Sequence, residues 1–265
     1  MASIVGLLVI GNEILDGVVL DTNSQWVINR LKTLSFDVKE KMTVRDDVAE
    51  ISRAIHRIAE DGCGIVITIG GLGPTHDDMT LKGVAEAFSL PMELNEEALS
   101  IVTRQYAGLH SRGIIESGEI TEPRRKMAVF PRGARPLDNR VGGTPGVLLE
   151  PTGIMIISLP GVPTELYWIF DNQVLPLLES RVEGVFAEKI INLPLRDEST
   201  LAPVIDEVMR RSPGVYIKSM VKPYGESGIR FWISARGDYK PEVEKRVSVA
   251  ADLLKELTSE RLPRG

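Results

Sequence analysis

A glycine-rich loop between a predicted strand and a predicted helix carries the strongest chemical signal in the sequence. Residues 70–78 read GGLGPTHDD and follow the apolar run Ile65–Ile69. Glycines let a backbone approach a phosphate closely, and the free N–H groups at the start of a helix favour an anion. A plain turn is the alternative, because the spacing fits neither a Walker loop nor the dinucleotide fingerprint. The residues predicted to bind phosphate are Gly70, Gly71, Leu72, Gly73 and Thr75.

Two carboxylates at the end of this loop change the kind of site that it predicts. Asp77 and Asp78 would repel a phosphate unless a divalent cation lay between them. Mg²⁺ in proteins is commonly held by one or two carboxylates together with phosphate oxygens. We therefore expect a metal–phosphate site in which Asp78 and Asp77 act as catalytic residues and as metal ligands. In the alternative, one of them only caps the following helix.

A second polar segment follows the first predicted strand, Ile4–Ile10. Asn12 and Glu13 come shortly after this strand, and Asp21 precedes the next predicted helix. Because the carboxyl ends of parallel strands meet at one edge of a sheet, we expect the segment to lie beside the glycine-rich loop. Glu13 and Asp21 are candidate metal ligands, and Asn12 is a candidate ligand-binding residue. A turn with helix caps explains the same residues equally well.

Two further turns, rich in glycine and proline, border predicted strands later in the chain. Their candidate ligand-binding residues are Gly142, Gly143, Thr144, Gly146, Pro160 and Gly161. Each of these turns, taken alone, is typical of an ordinary loop. Basic residues in the same part of the chain are candidate phosphate partners, although a solvated basic face is the commoner role of such residues. They are Arg124, Arg125, Lys126 and Arg140.

The elements that must position these loops alternate between strand and helix. Nearly continuous apolar runs predict strands buried on both faces at Ile4–Ile10 and Ile65–Ile69. Capping signatures at Thr22 and Asp47 mark the starts of two amphipathic helices, and Asn95 is the expected cap of a further helix. This alternation predicts an α/β fold with a three-layer, mostly parallel sheet over residues 1–182.

From residue 183 the predicted order changes to strand, helix, strand, strand, helix, which indicates a small α+β domain over residues 183–265. The first of its helices is predicted to begin at Ser199. Its segment Gly225-Glu226-Ser227-Gly228 has the GXXG pattern with which KH domains clamp a nucleic-acid backbone. Here the pattern joins two predicted strands and contains a glutamate. Nucleic-acid binding is therefore not expected.

The composition narrows the class of protein. The 265 residues are 43% hydrophobic and 26% charged, as in soluble globular proteins, and the net charge of −6 argues against nucleic-acid and anionic-membrane surfaces. The single cysteine, Cys63, excludes an internal disulfide and favours a reducing compartment. No membrane-length apolar run and no secretory signal are evident, so we expect a cytoplasmic protein without a membrane partner.

The motifs together resemble the molybdopterin-binding-type domain shared by MoaB, MogA and the N-terminal half of the competence/damage-inducible CinA proteins. Gly11–Asn23 is similar to the GNEIL…G…DTN opening of the CinA branch, Gly70–Thr80 to its GGLGPTxDDxT loop, and Leu159–Glu165 to its LPGVPxE segment. The resemblance covers nearly the whole chain and implies a KH-like module in the second domain. The chain departs from the family at Ile69, where the family has Thr, and in residues 142–146, where an NxxGTAPG segment is altered.

The resemblance implies a metal-dependent pyrophosphatase that hydrolyses ADP-ribose or a related nucleoside diphosphate and forms a homo-oligomer. Mg²⁺ or Co²⁺ is the expected cation, with K⁺ as a further candidate. The MoaB/MogA branch implies an alternative, the binding or adenylylation of molybdopterin. A third hypothesis, a non-catalytic sensor of a nucleotide or pterin, is kept open by the altered loop residues. The deamidase domain of longer CinA proteins has no counterpart in this sequence, so deamidase activity is not expected.

Overall fold

The computed structural model of the protein describes residues 4–182, 184–194, 201–220 and 228–261. The chain divides into two compact units, Met1–Val182 and Glu183–Gly265. In the described part of the chain, no helix combines the length and the apolar character needed to cross a membrane.

The strands of the first unit provide the frame for the predicted loops. They are β1 (Ile4–Ile10), β2 (Asp37–Val44), β3 (Ile65–Ile69), β4 (Met92–Leu94), β5 (Val129–Pro131), β6 (Arg135–Leu137), β7 (Gly146–Leu149) and β8 (Met155–Leu159). Six of them form one sheet in the order β2-β1-β3-β8-β7-β6, and β4 pairs with β5. Strands β2, β1, β3 and β8 are parallel, whereas β7 runs antiparallel to β8 and β6 antiparallel to β7. The four parallel strands therefore end at the same edge of the sheet, and the expected mostly parallel α/β fold is confirmed.

Helices cover both faces of this sheet. They are α1 (Asn12–Leu15), α2 (Asn23–Thr33), α3 (Val48–Glu60), α4 (Thr80–Ala87), α5 (Glu96–Ser111), α6 (Glu122–Lys126), α7 (Pro163–Ile169) and α8 (Leu175–Glu179). A π-helical turn, Phe170–Val174, joins α7 to α8. Four apolar side chains of α7 and this turn are fully buried, namely Leu166, Ile169, Phe170 and Val174.

Alternating side chains of the central strands pack into two cores, one on each face of the sheet. The sheet and the helices on its two faces are the three layers. On β1, Val5 and Leu7 pack with the helices α2 and α7, whereas Leu8 and Ile10 pack with α3 and α4. Successive side chains of a strand point to opposite faces, so a strand covered on both sides needs apolar residues at nearly every position. This requirement explains the unbroken apolar runs in the sequence.

The second unit is a three-stranded antiparallel sheet with two helices. Its elements are β9 (Val185–Leu193), α9 (Ala202–Arg211), β10 (Val215–Met220), β11 (Ile229–Gly237) and α10 (Lys240–Arg261). The strand order is β10-β11-β9, and apolar residues of all five elements form a separate core. A small sheet domain with the predicted order of elements is thus present. The KH-like assignment stays a prediction, since residues 225–227 of the GXXG segment lie outside the described residues, as does the predicted helix start at Ser199.

Two of the three predicted helix caps form as expected, and one is different. The side chain of Asp47 accepts a hydrogen bond from the Glu50 amide, and Asn95 accepts one from the Ala98 amide, both at 2.9 Å. At α2 the predicted Thr22 cap is wrong, because Thr22 makes no capping hydrogen bond with its side chain. Asp21 accepts instead from the Ser24 amide at 3.0 Å. The capping residue is therefore Asp21, one residue before the predicted Thr22.

Candidate functional site

An open cavity of about 320 Å³ lies at the edge where the four parallel strands end. Each strand contributes the residues that follow it, since parallel strands deliver their carboxyl ends to one crevice. The predicted site residues that line the cavity are Glu13, Gly70, Gly71, Leu72, Gly73, Thr75, Asp77, Asp78, Thr144, Pro160 and Gly161. The topology thus brings together all the predicted residues of two of the four segments and one residue from each of the other two.

Two glycines let the chain turn sharply as it leaves β3. Gly70 has φ +99° and Gly71 has φ +64°, a region that side chains disfavour. A Cβ on Gly70 would lie 2.3 Å from the carbonyl oxygen of Ile10, and one on Gly71 would lie 2.3 Å from Thr80 Oγ1. Thr80 fixes this turn, because its hydroxyl donates to the Gly70 carbonyl at 2.8 Å. No other residue type fits at either position without moving β1 or α4.

The rest of the glycine loop, defined here as residues 70–78, is held by its own side chains. Thr75 Oγ1 lies 2.5 Å from both Asp77 Oδ1 and Asp78 Oδ2, so its hydroxyl can donate to either carboxylate. Asp78 Oδ2 also accepts from the Thr75 amide at 2.7 Å. The hydrogen bond from Thr75 lowers the pKa of Asp77, which keeps that exposed carboxylate ionised.

Lys126 ties the glycine loop to the segment that follows α5. Its Nζ donates to the carbonyl of Thr75 and, at 3.0 Å, to the carbonyl of Asp78. The other basic residues suggested as phosphate partners have different roles or positions. Arg124 stacks over Tyr106 at 4.0 Å, Arg140 pairs with Asp138, and Arg125 is exposed.

Asp46 is a cavity residue that the sequence analysis missed. It lies just beyond β2, and its Oδ2 accepts from the Asn12 amide at 2.8 Å. Burial raises the pKa of Asp46, the Asn12 hydrogen bond opposes the rise, and the negative charges of nearby acids add to it. Those acids are Glu13, Asp77 and Asp78. The rule that located the other segments, a polar residue just past a parallel strand, applies to Asp46 as well.

The cavity therefore presents four carboxylates, Glu13, Asp46, Asp77 and Asp78, beside the backbone of the glycine loop. Among the described residues, no three His, Cys, Asp or Glu side chains stand close enough together to form a ready-made metal site. Hard carboxylate oxygens are nevertheless the ligands that Mg²⁺ prefers, and Mg²⁺ commonly takes only one or two of them plus phosphate oxygens. The donor set fits a cation that is bound together with a phosphorylated ligand.

Two predicted site residues near β1 support the site from outside the cavity. Asp21, predicted as a metal ligand, caps α2 and forms an ion pair with Lys41 at 2.8 Å. Asn12 presents its amide to Asp46, and its side chain accepts from Arg45 at 3.3 Å. Asn23, which was not predicted, donates from Nδ2 to the carbonyl of Gly161 at 2.7 Å. Asp21 and Asn23 of the DTN sequence thus hold neighbouring parts of the chain in position.

Residues 139–146, here called the Asn139 loop, are organised around one buried polar side chain, Asn139, and one partly buried side chain, Glu165. Asn139 is fully buried, donates to Thr144 O and Glu165 Oε2 at 2.7 Å each, and accepts from the Val141 and Gly142 amides. Glu165 Oε2 also accepts from the Thr144 amide at 3.3 Å. Burial raises the pKa of Glu165, and these hydrogen bonds oppose the rise. Together the two side chains fix Thr144 at the cavity.

The glycines of the Asn139 loop do not line the cavity. A Cβ on Gly142 would collide with the Glu165 side chain, and one on Gly143 would lie 2.7 Å from the ring of Tyr106. Gly146 is the first residue of β7 and faces Ile169. These predicted ligand-binding residues instead allow the loop to pack closely. Ile69 stands where the family pattern has Thr, and its side chain lies in the core.

The sequence model of a protein family described as "Probable molybdopterin binding domain" matches residues 6–180. The chain belongs to this family. The matched range coincides with the first unit, which holds the whole cavity.

Relatives with similar sequences extend over most of the chain. A protein of Aeropyrum pernix is 42% identical over 255 residues, which are 96% of this chain and 87% of the relative. A protein of Pyrococcus abyssi is 38% identical over 220 residues, 83% of this chain and 86% of the relative. The crystal structure of the protein CinA from Thermoplasma acidophilum, titled as of unknown function, is 32% identical with a TM-score of 0.58. The match covers 68% of this chain and 98% of that one. The resemblance to CinA proteins is confirmed.

Proposed function

We propose that this CinA-like protein hydrolyses the diphosphate of ADP-ribose or of a related nucleoside diphosphate, assisted by a divalent cation. The observation that supports this most directly is that the glycine loop and four carboxylates line one cavity. A phosphate alone would be repelled by these acids. A diphosphate carried in with Mg²⁺ or Co²⁺ satisfies both the backbone donors and the carboxylates.

Each part of the cavity has a distinct task in this proposal. The backbone N–H groups of the glycine loop bind phosphate oxygens and stabilise charge as the bond breaks. Asp77 and Asp78 are the proposed cation ligands, and Glu13 is a further one. A bound divalent cation would supply charge neutralisation and would lower the pKa of an attacking water. Thr144, which is fixed by Asn139 and Glu165 and also lines the cavity, orients the ligand.

Asp46 is the proposed general base. A carboxylate is a weak base at its ordinary pKa, and burial together with three neighbouring acids raises the pKa of Asp46. The Asn12 amide holds one carboxylate oxygen and leaves the other to accept a proton from water. This assignment fills a role for which no residue in the motifs is suited.

The direct test is turnover of ADP-ribose with Mg²⁺ or Co²⁺ by the wild type and two variants, Asp78→Ala and Asp46→Asn. We expect both variants to lose at least ~100-fold in kcat/KM, the scale of general-base catalysis. The matched control is Asp47→Asn, because Asp47 only caps α3 and Asn is an equally good cap. Full activity in both variants would remove these carboxylates from the mechanism.

Membership in the molybdopterin-binding domain family favours a second candidate, binding or adenylylation of molybdopterin. ATP-dependent formation of an adenylylated product from molybdopterin would support it over hydrolysis. A non-catalytic nucleotide or pterin sensor predicts a third result, tight ligand binding without turnover under any metal.

A further inference from the structure

The antiparallel sheet of the second unit packs one face against the helices α9 and α10. Alternate apolar side chains of β9, β10 and β11 form the core of the unit with these helices. Because successive side chains of a strand point to opposite faces, the side chains between them lie on the other face, here called the outer face. Its residues include three aromatic residues and three cations, namely Phe186, Tyr216, Trp232, Lys218, Arg230 and Arg236. Rings and positive charges therefore share one surface.

Two of the rings lie next to each other on the outer face. Tyr216 is 50% exposed, and its ring meets that of Trp232 edge to face, with the ring centroids 5.9 Å apart. The Trp232 Nε1 donates to Glu188 Oε2 at 2.6 Å, which holds the indole against the sheet. An edge-to-face pair leaves both faces of one ring uncovered by the other. The pair therefore offers ring surface on which a flat group can stack.

The cations lie on the same strands as this aromatic pair. Lys218 is opposite Trp232 in the strand register, and Arg230 precedes Trp232 by two residues on β11. Lys218 and Arg230 are exposed, and in the described part of the chain neither forms an ion pair. Arg236 lies near the other end of β11, roughly 20 Å from Arg230 at the usual rise per residue. An anionic chain that follows β11 therefore meets a cation before and after Trp232.

The two units differ in charge in the same sense. Residues 183–265 contain 14 Lys and Arg against 13 Asp and Glu, whereas residues 1–182 contain 17 against 24. The excess of acids that gives the whole chain its negative charge thus belongs to the first unit. The argument from net charge against a nucleic-acid surface therefore does not apply to the second unit.

Two other occupants match the outer face less well. A two-fold contact between copies of the chain would set the three cations against the same three cations. Glu188 is the only acid among the described residues of this face that could balance them. An acidic peptide would match the cations, but acidic side chains have no ring to stack. A single-stranded nucleic acid matches both features, because its phosphates are anionic and every base has a face that stacks on aromatic side chains.

We infer that the outer face binds single-stranded nucleic acid without sequence preference. Bases stack on the ring of Tyr216 beside Trp232, and phosphates contact Lys218 and Arg230. Because this contact uses side chains of the sheet, it does not depend on the GXXG segment. It is also independent of the proposed hydrolysis, which belongs to the cavity of the first unit.

The test is a titration of a labelled oligothymidylate with the 265-residue chain, followed by fluorescence anisotropy. At about 50 mM salt we expect a Kd on the order of 10⁻⁵ M, as in non-specific binding. Two phosphate contacts give a slope of about −1.4 when the logarithm of the binding constant is plotted against that of the salt concentration. An abasic oligonucleotide of the same length keeps the phosphates without the bases, so we expect it to bind at least ~5-fold more weakly.

Two substitutions on the outer face separate stacking from charge. Tyr216→Leu removes a ring, and we expect it to lower the affinity for oligothymidylate at least ~5-fold with an unchanged salt slope. The affinity for the abasic strand should stay the same in this variant. Lys218→Gln removes one phosphate contact, and we expect it to weaken the binding of both strands and to reduce the magnitude of the slope by ~0.7.

Tyr239→Leu and Lys245→Gln are the matched controls. Tyr239 is 65% exposed just beyond β11, and Lys245 is exposed on α10, which covers the opposite face of the sheet. Both variants should bind oligothymidylate as the wild type does. All four substitutions are at exposed positions, so the Tm of each variant should match that of the wild type and a loss of affinity is not a loss of fold.

Absence of binding at low salt, or equal binding of the abasic and the base-carrying strand, would overturn the inference. Polyglutamate that competes with oligothymidylate charge for charge would also overturn it, and would make the outer face a site for acidic peptides. A dimer that dissociates in Tyr216→Leu would replace the inference by a contact between copies of the chain. None of these results bears on the turnover of ADP-ribose, which is measured separately.

Discussion

The glycine loop and the Asn139 loop border the same cavity, but they are held in different ways. The glycine loop is partly exposed, and hydrogen bonds between residues two or three apart fix Thr75, Asp77 and Asp78. The Asn139 loop is buried around Asn139, and its main anchor, Glu165, lies 26 residues further along the chain. The side chains of the glycine loop are thus fixed largely by their own neighbours, with Lys126 as an anchor from elsewhere in the chain, whereas the Asn139 loop depends on an element that follows it.

This difference has a consequence for the site. A change within the glycine loop should alter ligand binding more than stability, unless it alters a backbone position that only glycine can adopt. A change in the Asn139 loop should affect stability first, because it leaves buried polar groups without partners. Four substitutions test this comparison.

Gly70→Ala should have the largest effect. The new Cβ would lie 2.3 Å from the carbonyl oxygen of Ile10, at a φ of +99°. Positive φ and the clash each cost of the order of 1–3 kcal/mol, so we expect unfolding free energy to fall by ~3 kcal/mol or more, measured by chemical denaturation. Gly17→Ala is the matched control, since Gly17 has φ +70° with open space around it. Equal losses in both would mean that contact with β1 is unimportant.

Asn139→Ala should rank second. It removes the partner of Glu165 and of two amides in a fully buried position, and we expect a loss of about 2–3 kcal/mol. Asn172→Ala, at an exposed asparagine that donates to Trp168 O, is the control and should change little. If both substitutions cost the same in urea denaturation, the Asn139 loop is not held as described.

Glu165→Gln should change how stability depends on pH. Burial raises the pKa of Glu165 above its ordinary 4.5, so the folded wild type binds a proton more readily than the unfolded chain. The unfolding free energy contributed by this group is therefore greatest below pH 4.5 and declines as pH rises through the folded-state pKa. The variant lacks this decline, which denaturation across a pH series measures. Glu150→Gln, at an exposed carboxylate paired with Arg181, controls for loss of one charge. Parallel curves for wild type and Glu165→Gln would contradict the prediction.

Thr75→Val should have the smallest effect on stability. Because Thr75 is exposed, we expect the Tm of the variant to match that of the wild type. Removing the hydroxyl should raise the pKa of Asp77, which it now lowers, and should weaken metal-dependent ligand binding. NMR titration of the Asp77 carboxyl and calorimetric binding with Mg²⁺ measure the two effects. A large fall in Tm would show that the glycine loop, too, stabilises the fold.

The sequence by itself determined most of the elements and the nature of the glycine loop. Buried strands such as β1 and β3 stand out because both of their faces must be apolar. Gly70 and Gly71 stand out because only glycine tolerates the backbone turn after β3. Such constraints act on a residue and its immediate neighbours, so they are visible in the order of the letters.

Only the tertiary structure decided which side chains meet at the cavity. Asp46 enters it because β2 lies beside β1, and Glu165 anchors the Asn139 loop because α7 follows β8 at the same edge. Lys126 reaches the glycine loop across 48 residues of chain. Asp21 has the right chemistry for a metal ligand, but the packing of α2 makes it a cap. Residue type fixes what a side chain can bind, whereas strand order and helix packing fix where it stands.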